Sequence, residues 1–202
     1  MDARFATESE ISNWNDHIIS NPGGGNILQG KEFLSIKQLA GWRIRYLFVG
    51  TRAIAVMEKK IPLLGKVWYC PKGPSTSSLD DLADLLHELR PFARKNGVFT
   101  IKIEPELDHT TDMSSLGLLK TSPIQYNFST VYVDLSPSLE DIMKNLNQKS
   151  RHAIRRAERD GVTVKAVPSS DENCRIMYQL FQETASGAGF AIRAASYYKH
   201  FY

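Results

Sequence analysis

Apolar positions along the chain follow two rhythms, one alternating every second residue and one recurring every three to four. Alternating or continuous apolar runs rich in β-branched and aromatic residues predict strands at 43–49, 53–58, 67–70, 98–103, 131–135 and 162–164. Helical spacing predicts four helices. In 8–20, Ile11, Trp14 and Ile18 share one side. In 79–96 the stripe is Leu82, Leu85, Leu86 and Leu89, with Ser78 as N-cap, Asn96-Gly97 as terminator and Pro91 expected to kink or interrupt it. In 139–159 the stripe is Ile142, Leu146, Ala153 and Ala157, between an N-cap at Ser138 and a C-cap at Gly161. In 171–186 Ile176, Leu180 and Phe181 are expected to face inward. A segment from Asn26 to Trp42 should turn Leu28, Phe33 and Ile36 toward a core.

The order of these elements is an antiparallel meander, then a helix, then a further strand. That is the layout of an acyltransferase domain of the GNAT type. A fresh strand–helix–strand series begins near Thr130. The expected fold class is therefore α/β (α+β), with tandem GNAT-like domains at 1–128 and 129–202. The seam is expected near Asn127, and the second domain is expected to be incomplete at its C-terminal end, leaving a fragment inactive alone.

Composition narrows the field only modestly. The 202 residues are those of an ordinary globular protein, and a net charge of +3 names no partner. No apolar run approaches the roughly 20 residues that cross a bilayer. The first residues lack the apolar core of a signal peptide. Two lone cysteines, Cys70 and Cys174, make no disulfide framework and fit a reducing cytoplasm.

The local distribution of charge says more. Lys144, Lys149, Arg151, Arg155, Arg156 and Arg159 lie off the apolar stripe of one helix, and no carboxylate stands between Lys144 and Arg156. Lys144, Arg151 and Arg155 are seven and four residues apart and would stack on one face. Such a face is either an anion-binding surface or a solvated, salt-bridged one. Gly23-Gly24-Gly25 precedes no Gly-Lys-Ser/Thr and reads as a connector, not a phosphate loop. Gly187-Ala188-Gly189 follows a helix, so it does not form the amide cradle that would hold coenzyme A. The five histidines show no metal-ligand spacing, and no metal is expected.

Five segments resemble the Fem family of peptidoglycan-bridge aminoacyltransferases. Gln29, Phe33, Lys37 and Trp42 follow its early pattern, and Tyr69-Cys70-Pro71-Lys72-Gly73-Pro74 its rigid corner. Lys102-Ile103-Glu104-Pro105 is similar to its strand-end motif. Lys149-Ser150-Arg151, Ile154-Arg155, Ala157 and Gly161-Val162 follow its basic helix, with Ser150 where the family usually has Thr. Arg193 and Tyr197 match its last motif, although Ala191 replaces a common threonine. The resemblance implies transfer of an amino acid from aminoacyl-tRNA to the stem-peptide amine of lipid II or its nucleotide-linked precursor. It implies precursor binding by Lys37, Arg193, Tyr197 and Tyr69, and marks Glu104 as a candidate proton acceptor. Lys144, Lys149, Arg151, Arg155 and Arg156 would meet tRNA or phosphate. No cofactor is implied beyond the tRNA co-substrate. The setting implied is cytoplasmic, with access to the inner membrane surface through lipid II. A CoA-dependent N-acyltransferase and a non-enzymatic nucleic-acid-binding module remain the alternatives.

Overall fold

The computed structural model describes residues 2–108, 110–122, 124, 131 and 133–201. The chain divides into two compact units, residues 1–125 and 126–202. The expected seam at Asn127 and Tyr132 of the expected strand 131–135 lie outside the described residues.

The first unit is built on a five-stranded sheet in the order β1-β2-β3-β4-β5. Its strands are β1 (Ala3–Phe5), β2 (Arg43–Val49), β3 (Arg52–Ile61), β4 (Gly65–Cys70) and β5 (Val98–Ile103). The first four pair antiparallel, and β5 runs parallel to β4. A parallel neighbour needs a crossover, which α4 (Leu79–Lys95) supplies. Two short helices, α1 (Glu8–Ser12) and α2 (Trp14–Ile19), and α3 (Lys31–Leu39) complete the unit.

Period-two alternation sends alternate residues to the two faces. Leu47, Val49, Ile54, Val56, Trp68 and Cys70 pack against the α4 stripe Leu82, Leu85, Leu86, Leu89 and Ala93. Ile44, Phe48, Ala53, Ala55, Met57 and Tyr69 pack with Trp14, Ile18 and Leu34 from α2 and α3. A central strand covered on both sides carries no polar alternation, which is why β3 is buried without interruption from Ala53 to Glu58.

Several expectations are corrected. The helix expected over 8–20 is two helices meeting at Asn13, and β1 was not foreseen. β3 and β4 extend through the stretch read as a connector, leaving only Pro62, Leu63 and Leu64 between them. Pro91 does not interrupt α4. It is exposed, so the backbone bond it denies to His87 falls on the wet side while the leucine stripe stays packed. Leu28 and Phe33 are only half-buried, and Leu34 and Gln29 take the core positions.

Gln29 is 2% exposed and fully engaged. Its Oε1 accepts the Ala55 amide of β3 at 2.9 Å, and its Nε2 donates to the Pro71 carbonyl at 2.7 Å. Its own carbonyl accepts the Trp14 indole N–H at 3.0 Å. Gly73 lies against it: a Cβ there would meet the Cys70 sulfur at 2.9 Å and the Gln29 amide at 3.3 Å.

The second unit is helical among the described residues: α5 (Leu139–Asn145), α6 (Gln148–Arg159), α7 (Asp171–Ala188) and α8 (Ala195–Phe201). Val131, Val133, Asp134 and Leu135 are not in a strand, nor are 162–164. A β-branched run becomes a strand only beside a hydrogen-bonding partner, and neither run has one among the described residues. Ile176, Leu180 and Phe181, expected to face inward, are 45%, 57% and 40% exposed. The Phe181 ring instead meets Tyr198 of α8 at 5.1 Å.

Two measurements check this packing. Gln29→Leu strands a buried amide and a buried carbonyl, at about 1–3 kcal/mol each. Urea unfolding should therefore show a loss of several kcal/mol for the first unit. Glu10 closes a capping box with Thr7 and binds Arg4 at 2.6 and 2.8 Å. The Arg4 guanidinium, helped by the Thr7 amide, holds its carboxyl down at about 2. Its contribution to stability is therefore complete above the ordinary carboxylate value of 4.5 and is lost as pH falls toward 2. Glu10→Gln should flatten the acid limb of the stability curve over that interval.

Candidate functional site

The parallel pair β4 and β5 ends in a cluster of polar side chains. Tyr69 of β4 is in register with Lys102 of β5, and Glu104 follows two residues later. The Tyr69 hydroxyl donates to Glu104 Oε2 at 2.7 Å, and the Lys72 amide reaches the same oxygen at 3.4 Å. Oε1 accepts the Ile124 amide at 3.1 Å, and the Glu104 amide donates to the Gly73 carbonyl at 2.8 Å. The carboxylate is thus fixed by a strand, a loop and the Pro71–Pro74 corner while remaining partly open to solvent. Lys72 has φ 46°, a left-handed conformation that β-carbon-bearing residues rarely hold. That conformation serves the corner that presents its amide to Glu104.

A line of contacts leads from this carboxylate to α3. The Tyr69 ring lies 6.5 Å from the ring of Trp42. Lys59 Nζ sits 4.5 Å over Trp42, and the Trp42 amide donates to the Lys37 carbonyl at 3.1 Å. Lys37 occupies the last turn of α3, with its ammonium 4.6 Å over the Phe33 ring. Tyr69, Trp42 and Glu104 are therefore neighbours in space, although 62 positions separate the first and last in the sequence. Cys70 lies beside them with a buried thiol, and burial pushes its pKa well up, so it stays protonated and a poor nucleophile. Among the described residues no group of His, Cys, Asp and Glu could hold a metal ion.

The basic stretch of the second unit differs from the single helix expected over 139–159. It breaks after Asn145, and Asn147 caps α6 by accepting the Ser150 amide at 2.8 Å. Asn is a strong N-cap, and this start signal outweighs a continuous apolar stripe. Lys144 consequently sits on a different helix from Arg151 and Arg155. Arg151 turns back and donates to the carbonyls of Lys144, at 3.1 Å, and Leu146. Lys144 pairs with Glu140 at 3.1 Å and Asp141 at 3.4 Å, and Arg156 with Asp160 at 3.3 Å. Lys149, Arg155 and Arg159 have no such partner among the described residues. Lys149 and Arg155 line an open concavity with Asn147, Gln148, Arg151 and His152.

Arg193 precedes α8 instead of lying on it, so it shares no helical face with Tyr197. Its guanidinium nevertheless rests 4.9 Å over the Tyr197 ring. Gln29 and Trp42 stand out in the sequence only as part of the family's early pattern; their parts in holding the core and in the line of contacts to Tyr69 come from the structure.

The chain belongs to the FemAB family, whose model matches residues 7–120 and 117–202. Its fold is similar to that of a solved structure titled "Crystal structure of FemX", with a TM-score of 0.73 and 22% identity over 100% of this chain. The chain spans about half of that structure's length, 54%. A solved structure of a probable acetyltransferase shares 12% identity over 68% of this chain and 100% of its own, at a TM-score of 0.39, too slight to bear on the fold. No curated protein sequence matches the chain. No helix among the described residues is long and apolar enough to cross a membrane.

The break at Asn147 has a direct check. Arg151→Met removes the guanidinium that satisfies the carbonyls of Lys144 and Leu146. Amide hydrogen exchange in residues 142–150 should accelerate by about an order of magnitude, the equivalent of roughly 1–2 kcal/mol of local opening. Exchange in the sheet of the first unit should not change.

Proposed function

We propose that the protein is a Fem-type aminoacyltransferase, which carries an amino acid from aminoacyl-tRNA to the stem-peptide amine of a peptidoglycan precursor. The acceptor is lipid II or the nucleotide-linked precursor, and the product contributes to the interpeptide bridge. The observation that carries this reading is the Tyr69–Glu104 pair, met in a chain of this family. Its carboxylate is partly exposed and already held by three donors.

The chemistry needs little more than alignment and one proton acceptor. The acceptor amine attacks the ester carbonyl carbon of the aminoacyl-tRNA. A C–N bond forms, and the C–O bond to the tRNA ribose breaks. The amine must shed a proton as it attacks, and Glu104 is the group proposed to take it. The ribose oxygen leaves as a hydroxyl once a proton returns to it. Tyr69, expected among the precursor-binding residues, is assigned here a positioning role instead, because its hydroxyl is already given to Glu104 and fixes which oxygen faces the amine. Lys37 offers a mobile point charge to a precursor phosphate, and Arg193, steadied by the Tyr197 ring, offers a planar multi-donor group. Holding two large substrates in line supplies most of the rate in such a reaction. Aminoacyl-tRNA is the co-substrate, so the chemistry calls for no further cofactor. These substrates put the enzyme in the cytoplasm, at the inner membrane surface when lipid II is the acceptor.

The test is transfer of radiolabelled amino acid from a charged tRNA mixture to precursor by the intact gene product. Glu104→Gln should lower kcat about 10²-fold with little change in KM for the precursor. Tyr69→Phe should cost less and leave binding intact, whereas Lys37→Ala should raise KM for the precursor. Absence of transfer from every charged tRNA removes the reading. Full activity in Glu104→Gln removes that residue from the chemistry while leaving the reaction class in place.

A further inference from the structure

The basic helix α6 holds more positive charge than its own unit uses, and the surplus is concentrated on one arc. At 100° per residue, Arg151, Arg155, Arg159, His152, Arg156 and Lys149 fall in that order within an arc of about 160°. The opposite side carries Ala153, Ala157, Ser150 and Ile154, with Glu158 at its margin next to Arg151. The contacts separate these cations by use. Arg151 is committed to the α5 carbonyls, and Arg156 to Asp160. Lys149, Arg155 and Arg159 have no acid or carbonyl acceptor among the described residues. His152, also exposed, lies between Arg159 and Arg156 on the arc.

We infer that Lys149, Arg155 and Arg159 form the phosphate-contacting surface for the tRNA substrate. This rests on the aminoacyl-tRNA reading above. It narrows the expected cationic set from five residues to two of them, and adds Arg159. Lys144 lies on another helix and already faces two carboxylates. Arg155 and Arg159 are four residues and about 6 Å apart along the helix axis, so their charges form a ladder instead of a cluster. An extended polyanion suits a ladder better than a single anion does.

Chemistry also decides against the other anionic surface, a membrane. A helix that lies on a bilayer buries large apolar side chains opposite its cations. The opposite side of α6 offers two alanines, a serine, one isoleucine 39% exposed and the carboxylate of Glu158, too little apolar surface to embed. An acidic protein partner would need aromatic or aliphatic anchors on the same face, and the arc contains none.

The experiment measures binding of deacylated tRNA to the intact gene product by fluorescence anisotropy across a salt series. The variant is Lys149→Gln with Arg155→Gln and Arg159→Gln. A charge-matched control carries Lys120→Gln, Lys165→Gln and Arg175→Gln. Losing three phosphate contacts should reduce the slope of log affinity against log salt by about 2 to 3, and affinity at low salt at least about tenfold. The control should keep the parent slope. Nucleotide-linked precursor should bind both variants as it binds the parent. Circular dichroism and a cooperative thermal transition establish that the variant remains folded. Unchanged tRNA affinity and slope in the folded variant overturn the inference. So does loss of binding to vesicles containing anionic lipid with tRNA binding intact. A parent protein that binds tRNA through this arc yet transfers no amino acid leaves the surface standing and removes the enzymatic reading.

Discussion

A buried carboxamide holds the first unit together. Gln29 sits where α2, β3 and the corner after β4 converge, and one side chain supplies a donor and an acceptor to backbone groups that water cannot reach. No apolar residue could serve there, because two backbone groups would be left without partners in the core. The Trp14 indole closes the arrangement on the Gln29 carbonyl, so the helix layer and the sheet are joined by directional bonds as well as by packing. Gly73 follows from the same constraint, since a methyl group there would press on the amide that organises the corner.

The site at the ends of β4 and β5 depends on that corner. Glu104 is held by a hydroxyl from β4, an amide from the corner and an amide from Ile124. Displacing the corner would take the Lys72 amide with it. The rigidity needed for a positioned carboxylate therefore originates some distance away, in residues that touch no candidate substrate group. The family match runs along the chain and singles out no residue, so what draws attention to this place is three hydrogen bonds to one carboxylate.

How much of this could be read in the sequence differs between the units. Strand positions in β2, β4 and β5 and the leucine stripe of α4 follow from periodicity, because each has a partner in the same unit to satisfy it. β1 is three residues long and too short to show a period. Gln29 is invisible to hydropathy, since a buried polar residue looks like an exposed one until its partners are known. In the second unit, Ile142, Leu146, Ala153 and Ala157 do keep helical spacing, but Asn147 starts a new helix between them. Counting cations along the stretch also overstated what could reach a ligand. A guanidinium that closes a neighbouring helix is spent structurally, and only contacts reveal this.

Among the described residues β5 stands at one border of the sheet, which has a consequence for the solution behaviour of the unit. A border strand can recruit a strand from another molecule through the main-chain groups on its outer side. Two features blunt that border. The register shifts between Lys66 and Val67 where β5 begins, which disturbs the flatness a docking strand needs. Lys102, the last residue but one of the strand, donates its ammonium to the Ser122 carbonyl and draws the following loop toward the strand. The lysine that stands beside Tyr69 in the ladder thus also puts a charge and a tethered loop on the sheet's border, an arrangement that disfavours pairing with a strand of another molecule.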